Sequence, residues 1–319
     1  MGVRYLRLVQ TSPRGALLPS NPPGKGQTPK GLPFPHHMEV PPPGPFPAAS
    51  SGAPTDDPWV LGLREALESA VLAAAAPGPV CLLFSGGLDS SLLAHLLARA
   101  RVPVELLVVG LPGSFDLASA RDGARALGLP LTSETLTAAE VEACADWLQG
   151  IPGAPRGSLL AVQTALALAF RRAHGDPVLC GQGADELFLG YTHYRGLTGE
   201  ALERRAEEDL LRLREVDLPF SRRVAERSGK TLSTPYLSGE VIQALAPVPW
   251  EARRGPGEPK ALLRKVALSL GLPPSLAGKP KKALQYGSGV DRVLRKGHTP
   301  PAPPRGEGRT AAVPAPERG

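Results

Sequence analysis

The chain has 319 residues, 42% of them apolar, which is enough for a sizeable buried core, and no apolar run long enough to cross a bilayer. Its formal net charge of +6 is scattered through Arg-rich stretches with acidic neighbours and through both ends, so no single basic block argues for nucleic acid as the main partner. Cys81, Cys144 and Cys180 stand far apart with no CxxC spacing, which argues against a zinc or redox pair and for small buried hydrophobes.

Of the 37 prolines, 13 fall in residues 1–54 and six more in Pro300–Pro316, where large apolar residues are scarce. Segments 1–56 and 297–319 therefore read as disordered, Pro-rich flanks, and 57–296 as one folded domain. The amino-terminal "MGVRYLRLVQ" has no continuous apolar stretch of signal-peptide length, so the expected location is the cytoplasm.

In chain order, "DPWVLGLREALESAVLAAAA" predicts a helix with Val60, Leu63, Ala66, Leu67 and Ala70 along one face. "VCLLF" predicts a buried strand, "SSLLAHLLARA" a helix, "VELLVVG" a second strand, "DLASARDGARALG" a helix and "LTSETL" a third strand. Two helical stretches follow, "AAEVEACADWLQG" and "SLLAVQTALALAFRRAHG", and then a short strand, "PVLC". This alternation predicts an α/β fold, a parallel sheet with helices on both faces. Beyond Gly190 the pattern turns helical, with "EALERRAEEDLLRLREV", "GEVIQALA" and "PKALLRKVALSLG".

Between the first strand and its helix stands Ser85–Ser91, "SGGLDSS", a stretch that packs nothing. The carboxyl end of a strand and the amino end of a helix meet there, where ligands bind in open parallel sheets and where free backbone N–H groups favour phosphate. Gly86 and Gly87 allow close backbone approach, and Ser85, Ser90 and Ser91 add hydroxyls. Asp89 repels phosphate directly, so its place implies a bridging cation, Mg²⁺ before others. The Lys of a Walker loop is missing. A second polar stretch, "CGQGADELFLGY", follows the short strand and carries Asp185 and Glu186. Adjacent carboxylates there fit a helix cap that offsets the dipole, or a hold on the same cation.

SGGxDS resembles the pyrophosphate loop of the N-type ATP pyrophosphatases, the PP-loop fold also described as adenine nucleotide alpha hydrolase-like. "GQGADELFLGY" resembles the SGEGADELFGGY block of the synthetase domain of the asparagine synthetase family. "STPYLS" is similar to that family's R-P-F-L-D segment, and "PKALLRKVALSLGLPPSLAGKPKKALQYGSGV" to its K-xx-LR, LP and K-x-Q-F-S-D-G elements in order. The resemblance covers 57–296.

It implies an amide ligase that forms AMP and pyrophosphate, activating a carboxylate, with aspartate a candidate, as an acyl-adenylate and passing the acyl group to ammonia or another amine. Ser85, Gly86, Gly87, Leu88, Ser90 and Ser91 would hold the pyrophosphate of ATP. Asp89 and Asp185 would share Mg²⁺, and backbone from Val108 to Gly110 and at Cys180 and Gly181 would meet the adenosine. Lys282, with Lys281 close behind, would stabilise the charge that builds on the leaving group.

Three departures stand out. Residue 2 is Gly where the family's glutaminase domain begins with Cys, so ammonia is expected as such or from a separate glutaminase subunit. Gln182 stands where the block carries Glu, and an amide cannot serve as the base for an incoming amine. Ser233 or its neighbour replaces the Arg of R-P-F-L-D, which leaves the carboxylate substrate open. Two other functions remain: a PP-loop enzyme that modifies tRNA, which the basic pI favours and the missing CxxC opposes, and a nucleotide-binding protein with weakened turnover.

Overall fold

Strand residues alternate between two cores. Leu82 and Phe84, Leu106 and Val108, and Leu179 pack into one apolar cluster. Cys81, Leu107, Val109, Val178 and Cys180 pack into another. Because successive side chains of a strand point to opposite faces, this partition means that the sheet is covered on both sides. The computed structural model that shows it describes residues 56–75, 79–255, 258–279 and 287–297.

In chain order the elements are α1 (Pro58–Ala75), β1 (Val80–Leu83), α2 (Leu88–Arg99), β2 (Val104–Gly110), α3 (Phe115–Leu127) and β3 (Leu131–Thr135). Next come α4 (Ala138–Gln149), α5 (Gly157–Arg172), β4 (Val178–Leu179), the single turn α6 (Ala184–Leu187) and α7 (Gly199–Arg212). A π-helical turn, Leu213–Asp217, joins α7 to α8 (Leu218–Arg227). After β5 (Leu232–Ser233) the chain is helical: α9 (Gly239–Leu245), α10 (Trp250–Arg254), α11 (Ala261–Ser269), α12 (Pro274–Ala277) and α13 (Val290–Gly297).

All four strand pairings are parallel, in the order β3-β2-β1-β4-β5. The expected α/β architecture therefore holds, with one addition. Leu232–Ser233 forms a fifth strand beside β4 inside a stretch that sequence pattern assigns to helices and connections. A two-residue strand carries no period, so only its pairing reveals it. The face of α1 predicted from spacing is the buried one: Val60, Leu63, Ala66, Leu67 and Ala70 are all in the core. The three cysteines are buried and unbridged.

The order of the strands fixes where a ligand can bind. The chain runs outward from β1 through β2 to β3, then returns to place β4 on the other side of β1. The crossover direction reverses between β1 and β4, and the crevice outside the carboxyl ends of those strands is the expected binding position in such a sheet. Ser85–Ser91 leaves β1 at that crevice, and Cys180–Glu186 leaves β4 beside it. No helix among the described residues is long and apolar enough to cross a membrane. The Pro-rich segments 1–55 and 298–319 lie outside the described residues.

Candidate functional site

At the start of α2, Gly87 occupies the N-cap in extended geometry and no side chain caps the helix. The first-turn N–H groups therefore face outward as donors. Ser85 Oγ lies 3.4 Å from Ser90 Oγ, and Ser90 Oγ donates to Gly87 O at 3.3 Å, so the loop is braced by its own hydroxyls. Gly86 has φ +69, and a Cβ there would overlap the Ser119 carbonyl oxygen, so α3 backs directly onto the loop. Lys279 Nζ donates to Ser119 O at 3.0 Å and to Ser119 Oγ at 3.2 Å, which sets an ammonium beside that junction. Burial lowers the pKa of Lys279.

The carboxylates of the two motifs converge on one cation. Lys260 Nζ lies 2.7 and 2.6 Å from the Asp89 oxygens and 2.6 Å from Asp185 Oδ1. The lysine side chain is only 5% exposed, against 22% and 21% for the two aspartates. Burial works to lower the Lys260 pKa, but the Asp185 and Asp89 carboxylates outweigh it and raise that pKa. Lys260 is the N-cap of α11 with φ +59, a region that residues with a side chain seldom enter. Gly190 closes the arrangement, because a Cβ there would overlap both Asp185 Oδ1 and Lys260 Cε. Beside it, Tyr191 Oη donates to the buried Glu186 at 2.6 Å. Tyr236 Oη donates to the Asp89 carbonyl at 3.0 Å, tying the segment after β5 to the loop after β1.

These groups open onto a cleft of about 400 Å³. Of the residues expected from sequence, Ser85, Gly87, Leu88, Asp89, Ser90, Val108, Cys180, Gly181, Gln182 and Asp185 line it. Gly86 sits behind the loop against Ser119. Ser91 is fully buried in the first turn of α2. Gly110 closes β2 against Ser114 and Leu117, away from the lining. Burial pushes the Cys180 thiol up to about 12, so it stays protonated and unreactive at neutral pH. Lys281 and Lys282 lie outside the described residues. The chain reaches that segment from Lys279 and leaves it at Gly287, where a Cβ would overlap the Asp116 carboxylate in the first turn of α3.

Sequence reasoning missed Lys260, and only the resemblance of "PKALLRK" to the K-xx-LR element, whose first lysine it is, could have pointed to it. It also missed Gln163 and Ser221, which line or brace the far side of the cleft and which no motif announces.

An open parallel sheet whose two polar loops meet at the strand-order reversal defines the class of α/β domains that bind ligands in that crevice. Within that class, residues 62–227 match the asparagine synthase family model, and the chain belongs to that family. It is 30% identical over 256 residues to a putative glutamine-hydrolyzing asparagine synthetase 1 of Methanocaldococcus jannaschii, covering 68% of this chain and 47% of that protein. It is 27% identical over 252 residues to asparagine synthetase B of Escherichia coli, covering 72% of this chain and 45% of that one. A third relative, the human asparagine synthetase domain-containing protein 1, is 38% identical over 134 residues, covering 38% of this chain and 20% of that protein. The chain thus spans about half the length, or less, of the curated relatives it matches.

Proposed function

We propose that the protein is an ATP-dependent amide ligase that forms AMP and pyrophosphate. The observation that carries this reading is the meeting of Asp89 and Asp185, from loops after neighbouring strands, around one buried cation beside an uncapped helix start. Two carboxylates on one point, open to a cleft on one side, suit Mg²⁺, which is commonly held by one or two protein carboxylates and the phosphates of its nucleotide. Asp89 and Asp185 would hold it, and bound there it would neutralise charge on the phosphates.

The chain's own groups supply the remainder. The Ser85–Ser90 loop and the first N–H groups of α2 bind the pyrophosphate end of ATP. Lys260, beside both aspartates, would offer its ammonium to the phosphate oxygens. A carboxylate oxygen of the substrate bonds to the α-phosphorus as the bond to pyrophosphate breaks. The amine nitrogen then bonds to the acyl carbon, the carbon–oxygen bond to AMP breaks with its electron pair on AMP, and the nitrogen gives up a proton.

Gln182 favours a second reading, a nucleotide-binding protein with weak turnover, since no carboxylate stands at that position to take the proton. Pyrophosphate release, screened across carboxylic acids including aspartate with and without ammonium, separates the two. Release that depends on one acid supports the ligase, and ATP binding with no release for any acid supports the second reading.

A further inference from the structure

Asp89 and Asp185 are drawn together by Lys260 through their carboxylates, and the loops that carry them are braced elsewhere by one short segment. After β5 the chain makes a 3-10 turn, Pro235–Leu237, and two consecutive side chains of that turn reach the two polar loops. Tyr236 is fully buried, and its Oη donates to the main-chain carbonyl of Asp89 at 3.0 Å. A carbonyl oxygen has two lone pairs, so one inside α2 can take this hydroxyl as well as a helical N–H. Leu237 packs on the other loop: a Cβ at Gly183, whose φ is +94, would lie 2.5 Å from Leu237 Cγ and Cδ2. Gly183 is the N-cap of α6, the turn that carries Asp185.

The fit between the loops leaves little slack. A Cβ at Gly181 would lie 3.2 Å from the Cβ of Asp89, so the loop after β4 rests directly on the loop after β1. The Tyr236 ring meets that of Phe188, the C-cap of α6, edge to face with 6.2 Å between centroids. One side chain therefore joins the backbone of Asp89 to the far end of the turn that carries Asp185. Cys180 N donates to Ser233 O at 3.1 Å, so the strand that leads into the 3-10 turn is fastened to the residue that opens the acidic loop. In an interior packed without voids, contacts of this kind transmit position.

We propose that Tyr236 is a positioning residue for the cation site: its hydroxyl fixes Asp89 relative to the turn bearing Asp185, so the spacing of the two carboxylates is set from the segment after β5. The inference rests on the ligase reading only for the cation that Asp89 and Asp185 would share. The R-P-F-L-D pattern that "STPYLS" resembles has Phe where this chain has Tyr236, so Tyr236→Phe removes the hydroxyl and keeps the ring in the core. That change takes nothing from the N–H groups of the phosphate loop or from Lys260. Mg²⁺ tolerates little error in the placement of its oxygen ligands, so cation binding is the property that registers the loss.

The test is calorimetric titration of the full chain with α,β-methylene-ATP, a nucleotide that cannot release pyrophosphate, once with MgCl₂ and once with EDTA. The ratio of the two affinities reads the cation's contribution apart from that of the nucleotide. In the wild type Mg²⁺ tightens binding, and Asp185→Asn removes the gain. Tyr236→Phe cuts the gain about fivefold, the scale of one hydrogen bond, and leaves the affinity in EDTA within about twofold of wild type. Ser238→Ala is the control for stability, because it removes the N-cap hydrogen bond of α9, from Val241 N at 3.2 Å, in the same segment. It lowers the melting temperature and leaves the Mg²⁺ gain unchanged. A wild type with no Mg²⁺ gain, or a gain that survives Asp185→Asn, overturns the cation reading and the inference with it. A gain equal in Tyr236→Phe and wild type, or one cut as far by Ser238→Ala, overturns the positioning role alone.

Discussion

Lys260 Nζ lies 2.6 Å from Asp89 Oδ2 and 2.6 Å from Asp185 Oδ1, so one ammonium joins the loop after β1 to the loop after β4. The pair of carboxylates and the lysine form a unit in which each charge is tolerable because of the others. Lys260→Met leaves two facing carboxylates without their cation, and removing one partner from such a buried set costs about 3–5 kcal/mol. The sign of the pH dependence follows from the raised lysine pKa. A cation whose folded pKa lies above its unfolded value contributes stability that is complete below the unfolded pKa and is lost as pH rises through the folded one. The gap in melting temperature between wild type and Lys260→Met is therefore full at pH 7 and narrows only in alkaline solution, above the ordinary lysine value of 10.5. Thermal melts of both proteins from pH 7 upward check this.

The aspartates answer differently when changed one at a time. Asp89→Asn leaves Lys260 paired with Asp185, and Asp185→Asn leaves it paired with Asp89, so both single variants fold. Each abolishes Mg²⁺-dependent pyrophosphate release, because the proposed cation site is built from both carboxylates and the one that remains stays paired with Lys260. The double variant strands a buried ammonium and loses more stability than the two singles added together. Denaturant melts on the four proteins, with pyrophosphate release on the singles, decide it. Near wild-type release in both singles would remove the metal assignment.

Gly190 tests the geometry rather than the charge. Gly190→Ala places a Cβ against Asp185 Oδ1 and Lys260 Cε. The overlap forces the lysine from its bridge, at a cost of about 1–3 kcal/mol typical of overpacking. ATP-dependent pyrophosphate release falls with it, while Gly196→Ala, at a glycine with open space around it, leaves release unchanged. Its φ of +80 makes that second variant slightly less stable, which separates backbone strain from loss of the bridge.

How much of this could be read from the chain depends on how local each feature is. The β1 loop and the β4 loop announce themselves because strand, Gly-containing turn and helix succeed one another within a dozen or so residues. Their meeting follows once the sheet is known to be parallel. Lys260 is different: it reaches Asp89 across 171 positions. Nothing in the spacing of "PKALLRK" distinguishes a buried bridging lysine from a solvated one. Its left-handed φ, the clearest sign of constraint, exists only in the fold. Ser221 is hidden for the same reason. In sequence it is one polar residue in the amphipathic α8, and only packing shows that it is fully buried and shared between Gln163 and Gln182. β5 escaped because two residues cannot display a period, whereas the α1 stripe from Val60 to Ala70, repeated over about three turns, could be read directly.

Gln182→Glu brings the site and the proposed chemistry into direct contact. In the wild type the Gln182 amide donates to Ser221 Oγ, and a carboxylate cannot donate. The Ser221 proton, which the Asp217 carbonyl and Gln163 Oε1 both accept, must therefore turn to serve the new carboxylate, or else the substituted side chain swings into the cleft. Neither rearrangement touches the phosphate loop, Lys260 or the two aspartates. Pyrophosphate–ATP exchange with the accepted carboxylic acid consequently stays within a few-fold of wild type. The amide-forming step does change, because the attacking nitrogen has to shed a proton and a positioned base contributes about 10²–10⁴-fold to such a step. The introduced carboxylate supplies that base, so amide formation measured against exchange rises, and it rises most at pH values where the carboxyl is ionised. A variant that loses exchange altogether would place residue 182 in the nucleotide site, and its separation from the adenylation step would have to be given up.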